Sequence, residues 1–359
     1  MKEIQTKNNN NKEPSENTFD NLQEEEIKHI KNKKENGVYF TKGNCFILDP
    51  FKQWFNHIPK HKKLKIIEPF AGDGQIPFLM KNAGYKNEWE MYDLNPTLSN
   101  IKKNDSIKSC PIGTCIITNP PYLAKYSASR KKIKYPEEAK LSNYDDVYKL
   151  ALEKMLYAAS YVGAIVPESF ITSGLFLNRI DKIISLKFKM FDDTDCPVCL
   201  ALFSPKEDYQ IWSNDVLIGN MSDLSRFMPN PKEFHEWKFN SRKGDIGLIN
   251  IDNNKTESIR FVEGNSIPRK EIKYSSRLKT RILGDKNYEL DKLLNEANSI
   301  LSNFRTSTED VFLTAFKGIR ADGKYRRRLD YNLAKSILDV AYNNIQNQKT
   351  TEETSEGLF

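Results

Sequence analysis

The sequence predicts an α/β fold. A mostly parallel sheet carries helices on both faces, is closed by an antiparallel hairpin, and is followed by a smaller, less regular C-terminal domain. Three observations predict it. Short apolar runs alternate with helical patterns up to residue 205. A glycine-rich turn directly follows the first of those runs. Beyond Pro205 the chain turns polar, with isolated aromatics and turn signals such as Pro229-Asn230-Pro231 and Ala321-Asp322-Gly323.

Taken in order, residues 1–33 are polar and Asn- and Lys-rich, and predict a disordered or helical tail. Residues 34–205 carry the strand-like runs Leu64–Ile67, Trp89–Tyr92, Cys115–Ile117, Val162–Val166 and Cys199–Phe203. Between them, Val147, Leu150, Leu152, Met155 and Leu156 recur at helical spacing. The stretch Leu186–Phe203, with the polar turn Asp192-Asp193-Thr194-Asp195, predicts the hairpin at the sheet edge. Residues 206–345 form the second domain and 346–359 a disordered tail.

Composition narrows the classes. The chain has 359 residues, 55 Lys+Arg against 48 Asp+Glu, and a net charge of +7, which permits a nucleic-acid partner. Aromatics at 11% exclude a wholly disordered chain. No apolar run approaches the roughly 20 residues of a spanning helix. The N-terminus lacks the apolar core of a secretory signal, and the five scattered cysteines suit a reducing compartment, so a cytoplasmic protein is expected. Cys196 and Cys199 form a C-x-x-C without a second pair, and read as strand cysteines; no metal is expected.

The first run leads into Glu68-Pro69-Phe70-Ala71-Gly72-Asp73-Gly74. A strand ending in a glycine turn before a helix lets a ligand approach backbone amides closely. The spacing matches neither G-x-G-x-x-G nor a P-loop. Glu68 would repel phosphate and suits an ammonium group, as in S-adenosylmethionine. Asp93, about 20 residues on, ends the next strand where an acid can accept from both ribose hydroxyls. Asp105 could accept from an adenine amine.

Thr118-Asn119-Pro120-Pro121-Tyr122 follows the strand Cys115–Ile117. Two prolines stiffen the backbone and remove two donors, so acceptors dominate: the Asn119 amide oxygen and the Pro120 carbonyl. Paired acceptors suit an exocyclic NH₂ group whose lone pair must point at an electrophile. Tyr122 offers a flat face for a planar substrate, so stacking rather than its hydroxyl is expected to matter.

At these residues the sequence resembles the S-adenosylmethionine-dependent amino-methyltransferases of DNA. It is most similar to adenine-N6 enzymes in which the cofactor motif comes first and the target-recognition domain last. The resemblance covers residues 34–205 and implies a Rossmann-like methyltransferase fold. It implies that Tyr39, Phe40 and Thr41 pack over the methionine end and that Glu68, Pro69, Phe70, Ala71, Gly72 and Gly74 form the main cofactor loop. Asp93 and Leu94 would hold the ribose and Asp105 the adenine amine. Asn119, Pro120, Pro121 and Tyr122 would be catalytic, with Asn119 also lining the cofactor pocket. Asp145–Leu150 resembles the helix after the motif, Gly163–Phe170 the next strand with its Val-Pro-x-Ser-Phe ending. Phe191 would be a second aromatic against an extruded base.

The implied substrate is double-stranded DNA, with one adenine taken out of the stack. The implied setting is restriction-modification or a mobile element, with a separately acting endonuclease and a monomeric or weakly dimeric enzyme. Phosphate and base contacts are expected from Lys317, Arg320, Lys324, Arg326, Arg327 and Arg328, and from Arg269, Lys270, Lys273, Arg277, Lys279 and Arg281 around Tyr274. Lys125 and Arg130, in an insertion at Ala124–Leu141 read as a mobile loop, could hold the target strand. The alternatives are an RNA adenine-N6, DNA cytosine-N4 or protein-glutamine-N5 methyltransferase, or a DNA-binding protein without catalytic activity.

Overall fold

The computed structural model describes residues 41, 43–191, 194, 196–204, 208–272, 278–285 and 287–356. The tail at 1–33, Tyr39, Phe40, Lys273, Tyr274 and Arg277 lie outside the described residues. Among those described, nine strands form one sheet: β1 (Lys65–Glu68), β2 (Glu88–Asp93), β3 (Ile101–Lys103), β4 (Gly113–Thr118), β5 (Ala159–Pro167), β6 (Ile180–Ser185), β7 (Val198–Phe203), β8 (Gln210–Ser213) and β9 (Val216–Asn220). Their spatial order is β3-β2-β1-β4-β5-β7-β6-β8-β9. The first five run parallel, and β7 lies antiparallel between β5 and β6. This order, with one reversed strand wedged in, is a Rossmann-like methyltransferase fold.

Sequence explains the strands at the centre. β6 and β7 are buried along their whole length, and β5 over Val162–Val166, so their apolar runs do not alternate. Helix α1 (Asp49–His57) starts with Pro50 in its first turn and buries Phe51, Trp54 and Phe55. Helix α2 (Gln75–Asn82) follows the glycine turn. Helices α3 (Lys125–Lys131) and α4 (Glu137–Leu141) occupy the insertion, and α5 (Val147–Ala158) follows it. The insertion is therefore not a bare loop: Ala128, Tyr135 and Ala139 are buried and fasten it to the core.

Three other expectations change. A hairpin forms, but its first strand is β6, which ends at Ser185 before the expected start at Leu186, and it does not close the sheet, because β8 adds parallel to β6 and β9 pairs with β8. The sheet thus runs past the boundary expected at 205/206. Of the C-x-x-C pair, only Cys199 lies in a strand; both thiols are free. Residues 346–356, expected as a disordered tail, continue the last helix.

The C-terminal region begins with the short α6 (Met221–Leu224). A four-stranded antiparallel sheet follows, built from β10 (Trp237–Phe239), β11 (Ile246–Ile249), β12 (Arg260–Glu263) and β13 (Lys279–Gly284) in the order β10-β13-β11-β12. Helix α7 (Leu290–Thr308) precedes the hairpin β14 (Thr314–Ile319) and β15 (Tyr325–Arg328), and α8 (Tyr331–Glu356) comes last. Ala321-Asp322-Gly323 does form the hairpin turn, with Gly323 at φ 78°, where only glycine is unstrained.

The hairpin is tied down by buried charge. Asp252 is fully buried and accepts from both Arg305 terminal nitrogens at 3.1 and 3.0 Å and from Arg320 at 2.9 Å. Arg305 also reaches Asp310 at 2.7 Å, and Arg320 reaches Asp322 at 2.7 Å. Buried charges persist where each is paired and hydrogen-bonded in this way.

Candidate active site

The site lies along the edge of the sheet where the parallel strands end. β1 has β2 on one side and β4 on the other, so successive crossovers leave it in opposite directions. Ligands bind in the crevice that such a switch opens at the carboxyl ends of the strands. Glu68 ends β1, Asp93 ends β2, and Asn119 directly follows β4.

Beyond Glu68 the chain turns tightly. Ala71 N donates to the Tyr92 carbonyl at 2.8 Å, and Gly74 N to the Ala71 carbonyl at 2.8 Å. Gly72 has φ 56°, and a Cβ there would meet none of the described residues within 4 Å. A ligand can therefore approach its backbone. Asp93 stabilises the turn by accepting from Gly72 N at 2.9 Å, and accepts from Asn95 N at 2.8 Å. Pro69 and Ala71 are buried, Phe70 is half-buried, and Leu94 is exposed beside Asp93. Asn104 N donates to the Asp93 carbonyl at 2.9 Å, which places Asp105 next to that strand end. Asp105 is partly engaged locally, with Lys108 Nζ at 3.5 Å.

Glu68 is buried, and its Oε2 has no hydrogen-bond partner among the described residues. Burial pushes its carboxyl well above the ordinary value, and the Asp73 and Asp93 carboxylates push it further. A cation in the loop would relieve all three effects at once, whereas a phosphate would worsen them. The residues present therefore fit the ammonium and ribose ends of S-adenosylmethionine. Seating that cation favours ionised Glu68, so binding should release a proton and affinity should rise with pH towards the carboxyl's raised value. Calorimetry in buffers of different ionisation enthalpy should detect that proton for the native chain and lose it in Glu68→Gln; identical heats would remove Glu68 from the cofactor site.

The proline corner is gathered from four segments. Asn119 Nδ2 donates to Thr41 Oγ1 at 3.2 Å. The Tyr122 hydroxyl lies 2.5 Å from Asn119 Oδ1 and 2.7 Å from the Ile165 carbonyl of β5. A phenol has one proton for those two acceptors. At rest the hydroxyl holds the Asn119 oxygen, and it can turn to the Ile165 carbonyl when an incoming amine takes up that oxygen, so it has a part that stacking alone did not assign. Phe191 is buried with its ring 6.3 Å from Tyr122, and Tyr148 lies at 6.2 Å, both edge-on. Thr41 bridges to Phe191, and Gly43 N donates to the Met190 carbonyl at 3.2 Å. Gly43 has no room for a side chain, since a Cβ would come within 2.7 Å of the Lys189 carbonyl oxygen. Thr41, Asn119, Tyr122 and Phe191 thus lie together.

Two carboxylates that sequence reasoning missed support this corner. Asp146 accepts from Leu123 N at 2.9 Å and caps α5 through Tyr148 N. It holds the segment leaving the motif, while Val147 N donates to the Leu123 carbonyl. Burial pushes Asp146 up to about 6. The signal was present, because an Asp before an apolar helix is an N-cap pattern. Glu168 follows β5 and binds both Arg327 terminal nitrogens at 3.0 and 3.1 Å, with Ser185 donating to it as well. No local pattern could have announced a partner 159 residues away.

The expected DNA contacts divide sharply. Lys125, Arg130, Lys317 and Lys324 are exposed. Arg320 and Arg327 are buried in ion pairs and cannot meet DNA phosphates, because a buried guanidinium is already neutralised by its carboxylates. Arg326 donates to the Asp252 carbonyl at 2.6 Å and lies over the Phe316 ring. Arg328 is half-buried. Arg281 is buried and Lys279 sits 3.4 Å from Glu271. Among the described residues, no group of His, Cys, Asp and Glu could hold a metal ion, and no helix is long and apolar enough to cross a membrane.

No protein-family model matches the chain, and no curated protein matches it. Solved structures do. The chain is similar to the methyltransferase subunit of a type I restriction-modification system from Streptococcus thermophilus, at 13% identity and TM-score 0.36, over 48% of this chain and 47% of that one. It is similar to the M protein of the type I restriction enzyme EcoKI, at 11% identity and TM-score 0.35, over 76% and 72%. It is also similar to the ATP-dependent type ISP restriction-modification enzyme LlaBIII bound to DNA, at 14% identity and TM-score 0.35, over 49% and 20%. The chain therefore spans about half the length of the first of these and a fifth of the last.

Proposed function

We propose that this chain is a site-specific DNA adenine-N6 methyltransferase that uses S-adenosylmethionine, in a restriction-modification or mobile-element setting. One observation carries the reading: the Asn119 corner, with Tyr122 and Phe191, stands at the switch point of the sheet next to the Glu68–Gly72 turn and Asp93.

When bound, the cofactor's sulfonium supplies the methyl group. Glu68 would hold its ammonium end, Asp93 its ribose, and Asp105 its adenine. Asn119 Oδ1 accepts from the target amine and favours its tetrahedral form, in which the nitrogen lone pair is available. No base is needed before attack, because the amine sheds its proton after it has become cationic. Phe191 and Tyr122 form an aromatic wall for an extruded base.

Replacing Tyr122 with Ala removes the ring, and base–aromatic stacking is worth about 1–3 kcal/mol. Tyr122→Ala should therefore lose more activity than Tyr122→Phe, which loses only the hydroxyl's hold on Asn119. Equal kcat values for the two variants would refute the stacking role. The decisive test of the function is incubation with labelled cofactor and genomic DNA, followed by single-molecule sequencing for modified adenines. Label in RNA, in protein or on cytosine instead would overturn the assignment.

A further inference from the structure

The strongest feature outside the site is the joint between β15 and the end of β5. Glu168 and Arg327 are each 3% exposed, and their two hydrogen bonds are at 3.0 and 3.1 Å. Lys187 lies 3.6 Å from the same carboxylate. Burial would raise the Glu168 carboxyl, but Arg327 and Lys187 outweigh it and hold it below its ordinary value. The pair thus stays ionised, and β14 packs against the segment Glu168–Thr172.

The place matters. Thr118 of β4 is paired with Ala164 of β5, so Pro167 and Glu168 lie at the same sheet edge as Asn119. Pro167 is paired with Val198, which brings Cys196 to that edge too. Lys317 lies on β14, the strand that packs against Glu168–Thr172 at that edge. Lys317 is exposed and makes no ion pair among the described residues, whereas Arg320, Arg326 and Arg327 of the same hairpin are bound internally.

We propose that Arg327 is a positioning residue: its ion pair with Glu168 seats the β14–β15 hairpin on the strand end beside Asn119, so that Lys317 meets a phosphate of the duplex at the mouth of the site. This deepens the proposed function and rests on it. The hairpin's basic residues have separate tasks, with arginines inside as rivets and a lysine outside as the contact. A lysine suits that contact, since an ammonium on a flexible stem neutralises a phosphate without fixed geometry.

The test measures affinity for sheared genomic duplex DNA against salt. Each phosphate neutralised contributes about 0.9 to the slope of log K against log salt. Lys317→Ala should lower the slope by about one. The double variant Glu168→Leu/Arg327→Met removes the joint while replacing the pair with apolar groups, which often preserves folding. Lys187, already pushed down to about 8 by burial, can give up its proton there. The double variant should melt as one cooperative unit and lose the same increment of slope. Combining it with Lys317→Ala should lower the slope no further than either change alone, because both act through one contact. Additive losses, or an unchanged slope in Lys317→Ala, overturn the proposal. Should the double variant fail to fold, the Lys317→Ala slope still decides the contact, and Arg327→Lys, which keeps the charge but not the two-pronged grip on Glu168, decides the joint: it should lose the same increment of slope, and a native slope there would overturn the proposal. A native chain that methylates no nucleic acid fails the proposed function instead, and the methylation assay separates the two failures.

Discussion

Asn119→Ala should lower kcat for methyl transfer by at least about 10²-fold, the cost typical of deleting one preorganised polar group that meets charge developing in a transition state. The charge here is positive and appears on the attacking nitrogen, so the group is an acceptor rather than a donor. Cofactor affinity should stay within a few-fold, since the residues proposed to hold the ammonium and ribose, Glu68 and Asp93, lie on β1 and β2 and not on β4. Two measurements check this: single-turnover methylation of duplex DNA, and cofactor binding by calorimetry. Full activity in the variant would remove Asn119 from catalysis. The Thr41 and Tyr122 contacts make the prediction more specific, because both hold the amide in place. Thr41→Val should therefore lower activity less than Asn119→Ala does.

Asp252→Ala should be the most destabilising single change in the C-terminal region. It would leave Arg305 and Arg320 buried with fewer carboxylates to neutralise them. Breaking a buried pair by removing one partner costs about 3–5 kcal/mol. The Ser258 and Ile259 amides, at 2.7 and 3.2 Å from the same carboxylate, would lose their acceptor as well. Urea unfolding should show the midpoint falling with the slope unchanged; an unchanged midpoint would mean that the network contributes nothing net. The pH dependence has a definite sign. Burial would raise the Asp252 carboxyl, but hydrogen bonds from Arg305 and the two amides hold it below 3.8. Its contribution is complete above that pH and is lost as pH falls through the lower folded value. Asp146 works the other way: raised from 3.8 to about 6, its ionisation costs stability above pH 6, and that cost disappears on acidification.

The parts of the candidate site are short and local, so the sequence could offer them. A glycine turn needs positive φ, and Gly72 and Gly74 have it at 56° and 75°. A Pro-Pro corner after a strand needs only its own residues. Phe191 was placed only by the resemblance, as a second aromatic at the hairpin turn, and its ring lies 6.3 Å from that of Tyr122. The strands of the main sheet missed were β3, whose Lys102 and Lys103 carry no apolar signal, β6, which lies before the stretch expected for the hairpin, and β8 and β9, which lie in the polar stretch beyond residue 205. Burial of one face by neighbours from elsewhere in the chain makes such segments strands.

The basic cluster marks the limit. Arg320, Arg326, Arg327 and Arg328 look alike in sequence, and a dense run of arginines at a turn suits a nucleic-acid contact. Their partners are Asp252, 68 residues from Arg320, and Glu168, 159 residues from Arg327. A guanidinium's charge is the same in water and in the core; what differs is whether the fold brings a carboxylate to meet it, and no local pattern records that. Residue type and spacing were enough for the chemistry of the glycine turn and the proline corner, where backbone geometry is set by the residues themselves. Which charges face solvent and which rivet the two parts of the molecule together depended on packing between distant segments, because desolvation is a property of the assembled interior.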